Sequence, residues 1–218
     1  MALAVVLGAR GSLGSALIET LKSMSYEVIG VSRGIAPNQA SAADQVITVQ
    51  SYSETSNHVN LAETNLVFFA MGSFTPRPLR EMSTDQVRQE LSSTLTEPVL
   101  ATHALLSNSP NLKDTRRDLV YIGSTSATQG FANTAAYCAA KHGLRGFVAS
   151  LNEEYKASAT RFWLASMGTL NNSMGSKIDA LPHTLLDPAA VAAEVVRRVT
   201  RHDNFFEPEF TIRRRNLS

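Results

Sequence analysis

The chain has 218 residues, 44% of them hydrophobic, enough to enclose the core of one α/β domain over residues 1–218 without a second domain. With 20 basic and 19 acidic residues and a formal net charge of +1, it carries no overall field for nucleic acid or an anionic membrane, which points to a small-molecule partner. A single cysteine, Cys138, excludes an internal disulfide; no apolar run reaches the ~18 residues of a membrane span, and the scattered histidines lack metal-ligand spacing.

Residues 2–7 read as a short buried strand running into Gly8-Ala-Arg-Gly11-Ser-Leu-Gly14, after which Leu13, Leu17, Ile18 and Leu21 recur at helical spacing. This apolar start has no basic leader, so it predicts a strand rather than a signal peptide and a soluble protein of the cytoplasm. A strand, glycine turn and helix in that order suit a pyrophosphate. Gly8, Gly11 and Gly14 allow close approach of the main chain, and the helix start at Ser12 and Leu13 offers N–H groups and a partial positive charge. A second strand, 26–32, ends in Arg33 and Gly34, where a dinucleotide fold reads the adenosine ribose. No carboxylate stands beside it in the sequence, whereas Arg33, with Arg10, offers donors suited to a 2′-phosphate; NADP is therefore expected over NAD.

Residues 35–44 are too few for a full crossover helix before a third strand at 45–49. A weak helical stretch near 53–63 leads to a fourth buried strand, 66–72, ending at Ala70 and Gly72. One long helix is expected over 84–107, with Val87, Leu91, Leu95, Val99 and Leu106 among its apolar positions. The apolar run Leu119–Ile122 delivers Ser124 to the edge of a fifth strand; a helix at 136–155, a strand at 161–168, a helix at 188–200 and an edge strand within 205–212 complete the chain.

Tyr137 and Lys141 lie four residues apart in the helix 136–155 and hence on one face, where the ammonium is expected to draw the phenol below its usual ~10. Ser124, 137 − 124 = 13 residues upstream of the tyrosine, offers a hydroxyl to a substrate oxygen. The Ser, the gap of 13 and Tyr-x-x-x-Lys resemble the catalytic signature of the short-chain dehydrogenase/reductase family, and the resemblance runs from Gly8 to the final helix. It implies a Rossmann-type three-layer α/β/α sandwich with a mostly parallel sheet of about seven strands. It also implies an NAD(P)-dependent oxidoreductase that moves a hydride between nicotinamide and a small carbonyl or alcohol substrate, assembled as a homodimer or homotetramer through the helices 84–107 and 136–155.

On that resemblance Tyr137 is the acid/base, Ser124 holds the carbonyl oxygen, and Lys141 binds the nicotinamide ribose and lowers the tyrosine pKa. Thr94 stands where the family has the Asn of a water relay. Gly8, Arg10, Gly11, Ser12, Leu13, Gly14, Arg33, Ala70, Gly72, Gly168 and Thr169 would join Tyr137 and Lys141 around the cofactor, with substrate over 125–134 and 172–185, including Phe131, Met174 and Leu181. The glycine spacing is closer to that of the family's extended members, Met167 replaces a proline, and the usual Asn-Asn before Ala70 is missing. These departures support a second reading, a non-catalytic NADP-binding regulatory or redox-sensing protein of the same fold. A third, an epimerase or dehydratase, lacks room for a C-terminal substrate domain.

Overall fold

A computed structural model of the chain describes residues 1–34, 42–109, 115–178, 184–201 and 206–214. Seven strands form one sheet: β1 (Leu3–Leu7), β2 (Glu27–Arg33), β3 (Gln45–Val49), β4 (Leu66–Phe69), β5 (Arg117–Ile122), β6 (Thr160–Met167) and β7 (Glu209–Ile212). Their order is β3-β2-β1-β4-β5-β6-β7, and every neighbouring pair is parallel. The sheet is thus wholly parallel where a mostly parallel one was expected.

Parallel strands need crossovers, and the crossovers cover both faces, which is why the central strands read as continuous apolar runs. In β1, β4 and β5 successive side chains alternate between two cores. Val6, Phe68 and Val120 point to the layer of α1 (Ser12–Ser23) and α5 (Pro188–Val199), where Leu17, Ile18, Leu21, Val191 and Val195 meet them. Leu7, Phe69 and Tyr121 point to the opposite layer, where Ala101, Leu105, Leu144 and Val148 belong to α3 (Glu97–Ser107) and α4 (Ala135–Glu154).

The long helix expected over 84–107 is interrupted. It begins as α2 (Thr84–Leu91), entered through a capping box in which Ser83 and Gln86 satisfy each other's backbone N–H groups, passes through a π turn at Ser92–Thr96, and resumes as α3. Pro98 supplies the cause. It has no N–H, so it cannot make the ordinary bond to the carbonyl of Thr94, and the chain loosens by one residue, with Glu97 N–H donating to Ser92 O. The weak helical stretch near 53–63 reduces to a 3₁₀ turn at Tyr52–Asn57 capped by Ser51. Most of the short crossover 35–44 lies outside the described residues.

The turn after β1 is set by contact rather than by loop preference alone. Gly8 sits at φ +88°, and a methyl group there would come within 2.7 Å of the Ala70 carbonyl carbon. A methyl group at Gly14 would collide with Gly8 O. These two glycines bring β1, the start of α1 and the end of β4 into direct backbone contact. That junction lies at the C-terminal edge of the sheet, beside the switch between β1 and β4 where successive crossovers change sides.

Candidate active site

A cavity of about 410 Å³ opens along that edge. Its floor is built from strand ends: Ala70 to Gly72 after β4, Ile122 to Thr125 after β5, and Met167 to Thr169 after β6. At one end Gly11 caps α1 in extended conformation without a side-chain hydrogen bond, and Ser12 and Leu13 face the cavity. The first N–H groups of a helix are left by its geometry without internal partners, so an uncapped start bordering a cleft suits an anionic ligand.

The catalytic residues foreseen in the sequence come together beside this groove. Ser124 is extended, at φ −158° and ψ 157°, and its Oγ accepts Ser126 N–H at 3.1 Å. Tyr137, in the first turn of α4, lines the same cavity. Lys141, one turn further and only 4% exposed, donates through Nζ to Ile122 O at 2.7 Å, with Nζ 5.6 Å from the centre of the Tyr137 ring. Ser124 is delivered by the chain two residues after Ile122, so the same strand end holds all three residues.

The expected electrostatic direction is reversed. Tyr137 is pushed up to about 12, first by enclosure; the hydroxyl of Ser124 works the other way, and the carboxylate of Glu90 adds to the rise. Lys141 is pulled down to about 8 by burial. Removing the phenolate from water outweighs the neighbouring ammonium, which is turned to the Ile122 carbonyl and is itself disfavoured by burial. In this geometry Tyr137 is a neutral phenol and Lys141 a cation that loses its proton close to neutrality.

The other foreseen residues divide. Gly11, Ser12, Leu13, Ala70, Gly72, Gly168 and Thr169 line the cavity, while Gly8 and Gly14 act behind it through the contacts described above. Arg10 and Arg33 lie beyond the lining, at the end of β2. Arg10 donates to Arg33 O and to Gly34 O at 2.8 Å. Arg33 lies over the Tyr52 ring at 5.4 Å and pairs with Glu97 Oε1 at 3.6 Å. The expectation that Arg33 has no acidic neighbour is therefore corrected. Glu97, from the start of α3, is almost buried, and its other oxygen accepts Ser51 Oγ–H and Tyr52 N–H.

Thr94 is fully buried in the π turn. Its Oγ1 donates to Ser73 O and accepts Ser73 N–H, both at 3.3 Å, so the hydroxyl fixes the loop after β4 and does not line the cavity. Phe131 and Met174 line the cavity; Leu181 lies outside the described residues.

Sequence reasoning missed two residues. Glu90 of α2 is 1% exposed, and both carboxylate oxygens accept Thr75 N–H at 3.2–3.3 Å. Phe74, in the same loop, meets the Tyr137 ring edge-on at 4.8 Å between centroids. Glu90 was detectable in principle, since it stands three residues after Val87 on the stripe that continues to Thr94, an inward position for a charge.

Comparison with known proteins agrees with this geometry. The short chain dehydrogenase family profile matches residues 2–181. No curated protein matches the chain in sequence. Among solved structures, a short-chain dehydrogenase/reductase from Vibrio parahaemolyticus superposes with a TM-score of 0.82 at 18% identity, covering 96% of this chain and 98% of the other. The alcohol dehydrogenase of Thermococcus sibiricus, complexed with 5-hydroxy-NADP, gives 0.78 at 19% identity over 98% and 96% of the two chains. The aldohexose dehydrogenase of Thermoplasma acidophilum gives 0.82 at 16% identity over 97% and 92%. A parallel Rossmann-type sheet, an open helix start facing the cleft and the family match over most of the chain lead to one conclusion: the protein belongs to the short-chain dehydrogenase/reductase family of NAD(P)-dependent oxidoreductases.

Proposed function

We propose that the protein reduces a small carbonyl compound, or oxidises the corresponding alcohol, with NADP as the hydride carrier. The observation that carries this reading is that Ser124, Tyr137 and Lys141 line one cavity, with Lys141 buried and its Nζ bound to Ile122 O. The residues present fit the dinucleotide: the uncapped start of α1 for its pyrophosphate, the close backbone at Gly8 for its approach, and Arg10 and Arg33 at the end of β2 as donors for a ribose phosphate, which would compete with Glu97 for Arg33. Bound there, the nicotinamide supplies the hydride for reduction and takes it back in oxidation.

The chain's own residues handle the oxygen and the proton. Ser124 Oγ already accepts Ser126 N–H, which leaves its hydroxyl proton to donate to a substrate oxygen. Tyr137 carries its proton throughout the neutral range and gives it to the same oxygen as negative charge develops there. The phenolate left behind is stabilised by the Lys141 ammonium, so the pair is matched to the moment of transfer rather than to the resting state.

A regulatory, non-catalytic protein of the same fold would not need the three side chains held together in this way. Homodimer or homotetramer assembly belongs to the proposal. Leu100 of α3 is 45% exposed, and His103, Leu106 and Phe147 line a groove between α3 and α4, a face that a second copy would cover. Cytoplasmic location remains part of the same reading.

Three outcomes test it. Tyr137→Phe removes the transferable proton and little else, so NADPH binding should persist while turnover of an accepted carbonyl falls by about 10²–10⁴-fold; parental turnover in that variant would refute the assignment. In a fluorescence titration NADPH should bind more tightly than NADH, and Arg33→Asp should abolish most of the difference, because it exchanges a phosphate donor for a repelling charge. Equal binding of the two by the parent would contradict the choice of NADP. Light scattering at micromolar concentration should give a dimer or tetramer mass, and a monomer would remove the assembly proposal alone.

A further inference from the structure

The substrate end of the cleft differs in character from the cofactor end. Lys141 is the one charged side chain lining the cavity among the described residues, and it is buried with Nζ bound to Ile122 O. The apolar lining of the cavity includes Phe74, which meets the Tyr137 ring, together with Phe131, Ala132, Met174 and Ile178. Lys177 follows the Met174 turn, but its ammonium donates to Phe74 O at 2.8 Å, and it does not line the cavity. Arg77, exposed on the loop after β4, is also outside the lining.

The two aromatic walls are held very differently. Phe74 is 8% exposed and belongs to a loop fastened on every side. Ser73 Oγ bonds Ser93 Oγ at 2.7 Å, Ser73 N–H and O bond Thr94, Thr75 N–H bonds Glu90, and Phe74 O accepts from Lys177. The ring is thereby pressed edge-on against Tyr137. Phe131 is 45% exposed, an unusual position for so large an apolar side chain at the rim of a cleft. One ring is a fixed wall beside the proton donor, and the other is an open apolar surface facing the same space.

Building on the oxidoreductase reading above, we infer that the substrate is an uncharged carbonyl compound whose apolar, ring-sized substituent lies between Phe74 and Phe131. Among the described residues, a carboxylate or phosphate beside the reacting carbonyl would find no lining cation except Lys141, whose Nζ is bound to Ile122 O, and would lie with the carboxylate of Glu90 close enough to act on Tyr137. Leaving such a charge unpaired on binding is far more costly than any apolar contact it could make. Phe74 and Phe131 are therefore specificity-determining residues, and Glu90 positions Phe74 through Thr75.

Ethyl benzoylformate and benzoylformate test this directly, because they share the phenyl ketone and differ in charge next to it. In the reduction the carbonyl π bond breaks, its carbon gains the hydride of NADPH and its oxygen gains the proton of Tyr137, giving the hydroxy ester or hydroxy acid and NADP⁺. The ester should exceed the acid in kcat/KM by at least ~100-fold. Phe131→Ala, at a largely exposed position, should lower the ratio of kcat/KM for ethyl benzoylformate to that for propanal by ~10-fold; Phe74→Ala should lower it further if it folds. Equal or better use of benzoylformate would overturn the inference while leaving hydride transfer intact. An unchanged ratio in Phe131→Ala would overturn the placement of the substituent. If ester, acid and propanal all failed to consume NADPH, the hydride-transfer reading would fall, and this inference with it.

Discussion

The bond from Lys141 Nζ to Ile122 O fixes the site. It joins the first turns of α4 to the last residue of β5 and holds an ammonium where only 4% of the residue remains exposed. A charge buried in that way needs a strong acceptor, and a carbonyl at the end of a parallel strand provides one. From this single anchor the rest follows by chain geometry. Ser124 is two residues beyond the acceptor, and Tyr137 is one helical turn before the donor. Gly123 between them allows the close pass, since a methyl group there would stand 2.5 Å from Ser166 Oγ on β6.

The same anchor explains the protonation pattern. Burial raises the free energy of both charged forms, so the ammonium loses affinity for its proton while the phenol holds its proton more tightly. A Lys beside a Tyr thus does not by itself make a phenolate; distance, enclosure and the other partners of each group decide the balance. Here the balance leaves Tyr137 protonated with the Lys141 ammonium nearby.

Most of the architecture was legible because it rests on local pattern. Apolar runs bounded by glycine and polar turns gave all seven strands, and helical spacing placed α1 after the glycine turn and located α4 and α5 to within a residue. Ser124, Tyr137 and Lys141 were readable for the same reason: their spacing alone puts them on one strand end and one helix face. What was not legible depends on contacts between distant segments. The π turn at Ser92–Thr96 does not show in the apolar spacing of 84–107, which runs through it. Glu97 meets Arg33 across 97 − 33 = 64 residues, so the apparent absence of an acid at the end of β2 was a property of the sequence neighbourhood and not of the fold. Glu90 and Phe74 take their meaning from a loop whose path only the tertiary structure defines. Thr94 shows the converse, a residue placed by motif whose hydroxyl is engaged by Ser73.

The central claim is the protonation state of Tyr137, and NMR of protein labelled at tyrosine ¹³Cζ measures it without any substrate. The chain has five tyrosines, and Tyr137→Phe assigns the relevant signal by its loss. The account predicts a Tyr137 resonance that keeps its phenol shift through pH 10, the usual midpoint for tyrosine, and begins to move only toward about 12. A Tyr137 signal already at its phenolate position near neutral pH would contradict it, and would show that the Lys141 charge, not enclosure, governs the site.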